Sequence, residues 1–114
     1  MSTVSLRKLA FAVAAWSAVL TLASAHAADT EIRLTYANGQ FEPKEAAAPA
    51  DKPFMIRVKN MEAKAMEFES KTLKVEKVIA AKSEAILKVR AMKPGRYEFF
   101  DEFNEKARGT VNVQ

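Results

Sequence analysis

Between Ile32 and Val113 apolar and polar positions alternate, which is the period-two signature of strands with one buried face. Ile32, Leu34 and Tyr36 share one parity, and Phe54, Ile56 and Val58 share one in the next clear run. Further runs fall at Met66–Phe68, Val75–Ile79, Ile86–Val89, Tyr97–Phe99 and Val111–Val113. About seven short strands in one small domain predict an all-β Greek-key sandwich or barrel. Asn38-Gly39, Pro43, Pro49, Pro53 and Pro94-Gly95 punctuate the runs where turns are needed. The segment "EAAAPADKP" contains alanines that favour a helix, but Pro49 and Pro53 interrupt it, so it reads as an edge strand and a turn. The span "NMEAKA", from Asn60 to Ala65, has helical propensity without a periodic face and reads as a loop or single turn.

The N-terminal residues follow a different pattern. Arg7-Lys8, the apolar run from Leu9 to Leu22 and the small-residue triplet Ala25-His26-Ala27 form a secretory signal pattern with cleavage after Ala27. Ser17 and Thr21 interrupt the run, which is shorter than the roughly 20 apolar residues that span a bilayer. The expected division is a signal peptide at 1–27 and one domain at 28–114, exported to the periplasm.

Removing that segment changes the chemistry that is left. Trp16 and His26 go with it, and the chain has no cysteine, so the exported domain contains no tryptophan, histidine or thiol. Its stability must come from packing and strand pairing rather than disulfides. Arg7 and Lys8 also leave, so 16 basic side chains stand against 14 acids, interspersed and without a basic-aromatic stripe for nucleic acid. A Ser-His or Cys-His nucleophile pair, the common zinc sites and a glycine-rich phosphate loop are all excluded, the three glycines lying far apart at Gly39, Gly95 and Gly109. No conventional enzyme is indicated, because only a carboxylate strongly shifted by burial would serve as a general base near neutral pH.

Carboxylates, an amide and thioethers remain. Oxygen donors suit iron, manganese, calcium or magnesium, and methionine sulfur suits Cu(I). Met61 and Met66 flank the 60–65 loop and otherwise read as core filling. In "MEFES", alternation puts Glu67 and Glu69 on one face, opposite Met66 and Phe68; a plain solvated face explains them equally. In "YEFFDEFNE", Tyr97, Phe99 and Asp101 share a face, and Glu98, Phe100 and Glu102 share the other. Asp101 is therefore expected at the end of a row of core aromatics, satisfied either by a metal or by an ion pair with Lys106 or Arg108.

"NGQFEP", the "IRVKN" strand leading through a loop to "EFES", and "MKPGRYEFFDEFNEKARGTVNV" resemble the cupredoxin pattern from about Ile32 to Val113. In that resemblance Asp101 falls at the usual Cys ligand, Asn104 at the following His, and Met66 near the upstream His, so a blue-copper centre is not implied. The chain is more similar still to EfeO-type cupredoxin-like domains associated with iron transport, whose carboxylates map to Glu67, Glu69 and Glu102. Asn104 stands where small members have His, and Met66 where they have an acid. The resemblance implies a periplasmic protein binding copper or iron through Met66, Glu67, Glu69, Asp101, Glu102 and Asn104, acting beside iron-transport components in Fe(II) oxidation or transfer. The alternative expectation is a metal-free cupredoxin-like interaction module of a periplasmic transport complex.

Overall fold

The computed structural model describes residues 30–114, so the expected signal peptide at 1–27 lies outside the described residues. Nine strands follow one another: β1 (Thr30–Ala37), β2 (Gln40–Glu42), β3 (Glu45–Ala48), β4 (Phe54–Asn60), β5 (Met66–Ser70), β6 (Val75–Ile79), β7 (Glu84–Val89), β8 (Gly95–Asp101) and β9 (Asn104–Val113). They form two sheets, ordered β2-β1-β4-β7 and β3-β9-β8-β5-β6, that pack face to face as a sandwich rather than closing into a barrel. β1 runs parallel to β4 and β3 parallel to β9, while the other pairs are antiparallel.

The all-β expectation holds, with nine strands among the described residues where alternation indicated about seven. β3 is the edge strand read in 45–53, bonded only to β9. β2 is the one not foreseen, because three residues are too few to show a period. Asn38 and Gly39 connect it to β1 with φ values of 54° and 69°, the doubly left-handed turn that suits a tight hairpin. Residues 61–65 form a bent loop without helix, as expected.

The inward parity of each strand fills the core. Phe41, Phe54, Phe68 and Phe99 are the largest fully buried side chains, joined by Leu34, Ile56, Val58 and Met66. Phe68 stacks on Phe99 at 5.2 Å between ring centres, and Phe41 meets Phe99 edge-on at 4.9 Å. Gly109 of β9 lies directly beneath the Phe99 ring, where any side chain would collide.

Candidate functional site

Asn60 closes β4 and shapes the loop beside it. It is fully buried, and its amide nitrogen donates to the carbonyls of Lys64 (2.9 Å), Ile79 (3.1 Å) and Ala80 (3.1 Å). Its side-chain oxygen accepts from the Glu62 amide at 2.9 Å. With every polar atom of this side chain used, residues 61–65 are fixed against the β6–β7 connection.

β8 ends in a register shift between Phe100 and Asp101, so that Asp101 pairs with Asn104 across a two-residue turn. The inward parity of β8 carries Asp101 into the interior, where it is 2% exposed. Its Oδ2 accepts from the Tyr36 hydroxyl at 2.6 Å. Its Oδ1 accepts from the backbone amides of Glu67 and Phe103, each at 2.9 Å. Neither basic residue considered from the sequence satisfies it: Arg108 lies over the Phe100 ring at 5.0 Å and pairs with Glu98 at 3.5 Å. Burial and the Asp101 carboxylate push the Tyr36 hydroxyl up to about 12. A cleft of about 400 Å³ opens here, lined among others by Tyr36, Glu62, Lys64, Asp101, Phe103 and Asn104.

The outward face of the same sheet gathers a second group. Glu69 of β5 pairs with Glu76 of β6, so two like charges stand directly opposite one another, an arrangement that costs stability. Glu67 is one pleat further along β5, and the Glu102 amide donates to its carbonyl at 2.8 Å. The Glu102 carboxyl neighbours that of Glu69. That contact, with burial and the charges of Glu102 and Glu76, pushes Glu69 up to about 7, against the opposing pull of Lys71. Glu67 is raised too, first by burial and then by Glu76.

Several other outward acids are paired with arginines. On the other sheet Arg57 binds Glu31 at 2.8 Å and Glu84 at 3.1 Å, and the Arg57 guanidinium holds Glu31 below the usual carboxylate range. The Glu67, Glu69, Glu76 and Glu102 face keeps its repulsion.

The six candidate ligands therefore divide into three places. Met66 is 1% exposed and sits in the core. Asp101 and Asn104 border the cleft. Glu67, Glu69 and Glu102 lie together on the opposite face. Among the described residues no three carboxylates converge as a ready-made cation cage. Sequence reasoning missed Tyr36, whose parity with Ile32 and Leu34 marked it only as core, and Glu76, whose place opposite Glu69 depends on strand register.

The chain belongs to the cupredoxin-like domain family, whose model matches residues 9–113. It is similar to an uncharacterized protein of Rickettsia prowazekii (strain Madrid E), 27% identical over 84 residues, covering 73% of this chain and 67% of that protein. Among solved structures it resembles the metal-binding domain of the Cu(I)-exporting P-type ATPase CopA of Streptococcus pneumoniae, solved with Cu(I). The TM-score is 0.66 at 17% identity, over 74% of this chain and 84% of that one. Reduced auracyanin of Roseiflexus castenholzii gives a TM-score of 0.65 at 14% identity, over 75% and 98% of the two chains. A Cu(I) form of an amicyanin variant gives 0.60 at 17% identity, over 78% and 87%. At these identities the likeness to solved structures establishes the fold alone.

A type 1 copper centre does not fit the residues present. Such a centre takes a thiolate and two imidazoles, and the described residues contain neither cysteine nor histidine. Asp101, placed by the resemblance at the thiolate position, already accepts from three donors.

Proposed function

We propose that the protein is an exported, periplasmic cupredoxin-like carrier of a hard divalent cation, Fe(II) with Cu(II) as competitor, held by carboxylate oxygens in support of iron uptake. The cation is cargo, and the residues that take it are Glu69 and Glu102 with Glu67 and Glu76 beside them. The observation that carries this reading is the strand register that sets Glu69 directly opposite Glu76, with the Glu102 amide bonded to the Glu67 carbonyl at 2.8 Å beside them. Like charges held opposite one another on a sheet repel, and a divalent ion bound among their oxygens relieves that repulsion. The EfeO-type resemblance of "EFES" and "FFDEF" supports iron as the cargo, and the signal pattern at 1–27 supports the periplasm.

A second reading, a metal-free interaction module, has its own observation. Phe103 is 59% exposed and Met61 41% exposed at the cleft end of the sandwich, where they offer apolar surface to a partner.

Calorimetry on residues 28–114 separates the two. Anaerobic Fe(II) and, separately, Cu(II) are titrated into the wild type and the Glu69→Gln/Glu102→Gln variant. Stoichiometric binding that the variant loses supports the carrier; absence of binding to both ions leaves the interaction module.

A further inference from the structure

Four strands end the two sheets: β2 and β7 in one, β3 and β6 in the other. An unpaired edge is a template for another chain unless something blunts it. Three of the four are blunted. β2 has three residues and runs into Pro43, and β3 has four and runs into Pro49. β6 carries Lys77 opposite Phe68, on the parity that points into the sandwich, so a strand added there meets an inward charge. β7 has none of these guards. Its six residues contain no proline, and its inward parity, Ala85, Leu87 and Val89, is apolar. A groove of about 280 Å³, lined among others by Val75, Lys77, Ile86 and Lys88, separates it from β6 and leaves its backbone edge open.

The outward parity of β7 decides what fits. It reads Glu84, Ile86, Lys88, with Ile86 43% exposed at the centre and opposite charges two residues to either side. Two identical antiparallel strands are related by a two-fold axis perpendicular to their sheet, so each residue meets one of its own face and the residue at the axis meets its own copy. With the axis at Ile86, the two Ile86 side chains meet, and Glu84 of each copy lies opposite Lys88 of the other. On the inner face Ala85 meets Leu87. Apolar and opposite-charge pairs directly across two strands stabilise a sheet. Neighbouring registers lack this match: an axis at Ala85 sets Lys88 against Lys82, and an axis at Leu87 sets Ile86 against Lys88. Arg57 holds one Glu84 oxygen at 3.1 Å and steadies that carboxylate beside the edge.

We infer that β7 is a homodimer interface, through which two copies of this chain join their β2-β1-β4-β7 sheets edge to edge, antiparallel and centred on Ile86. The two-fold axis turns both β3-β9-β8-β5-β6 sheets to the same side of the joined sheet. The outer carboxylates of the two copies therefore face the same way, and none of them takes part in the contact.

Sedimentation equilibrium on residues 28–114, which hold the whole sandwich, tests this. The wild type is expected at the dimer mass. Glu84→Lys and Lys88→Glu each set like charges against one another at both ends of the contact, and each is expected to be monomeric at the same concentration, with circular dichroism confirming its fold. Mixed one to one, the two variants are expected to regain the dimer mass, because opposite charges then meet at both ends. The chain has no cysteine, so Ile86→Cys supplies a single thiol at the axis, expected to form a disulfide between copies on mild oxidation. Val78→Cys on β6, at a position 54% exposed, is expected to stay uncrosslinked. A wild type that sediments as a monomer overturns the interface and leaves the edge to an extended segment of another protein. A dimer that survives either charge reversal, a mixture that stays monomeric, or crosslinking at Val78→Cys equal to that at Ile86→Cys overturns the β7 register.

Discussion

Tyr36 and Asp101 are 65 residues apart in sequence and joined by a buried hydrogen bond of 2.6 Å. The bond ties the end of β1 in one sheet to the end of β8 in the other, at the end of the sandwich where the cleft opens. Removal of the acceptor strands three donors at once, the Tyr36 hydroxyl and the amides of Glu67 and Phe103.

Asp101→Ala is accordingly expected to destabilise the domain by about 3 kcal/mol, since each buried donor left without a partner is costly. Urea denaturation reads this as a lower midpoint with an unchanged slope. A midpoint within error of the wild type shows that water replaces the carboxylate at no cost.

The outer carboxylates set a pH dependence of stability. Glu69 has a folded pKa of about 7 against an ordinary value of 4.5. Between these values the folded protein holds more protons than the unfolded chain, so stability falls as pH rises from about 4.5 to about 7 and levels off above. Melting temperature measured across that window is expected to decline in the wild type. Glu69→Gln, which has no proton to lose, flattens the profile and melts higher at pH 7.5. A wild-type profile that rises across the window contradicts the placement of Glu69 against Glu102.

Gly109→Ala tests the core. A Cβ there meets the Phe99 ring and lies 2.8 Å from the Lys44 carbonyl, which already accepts from the Thr110 amide. Neither neighbour can retreat, because Phe99 is stacked on Phe68 and the carbonyl belongs to the backbone. Overpacking of this kind is expected to cost about 3 kcal/mol, read as a lower melting temperature.

Parity alone made much of this architecture legible. It placed Glu67 and Glu69 opposite Met66 and Phe68, and it put Asp101 at the end of the Tyr97–Phe99 row, all as found. The same alternation sets Asp101 and Glu102 on opposite faces, so six ligands converging on one ion was already at odds with the pattern. Long-range pairing was not legible. Glu76 meets Glu69 only through the β5–β6 register, and Tyr36 reaches Asp101 only across the two sheets. Asn60 read as the start of a loop, yet its four side-chain hydrogen bonds hold that loop.

The most direct measurement locates the divalent ion. Mn(II), a hard paramagnetic stand-in for Fe(II), is titrated at pH 7.5 into nitrogen-15-labelled residues 28–114, and amide signals are followed as they broaden. The outer-face reading predicts that Glu67, Glu69, Glu76 and Glu102 broaden first, and that Glu69→Gln/Glu102→Gln abolishes the effect. Broadening centred on Gly39 and Asn104, or none at all, contradicts it.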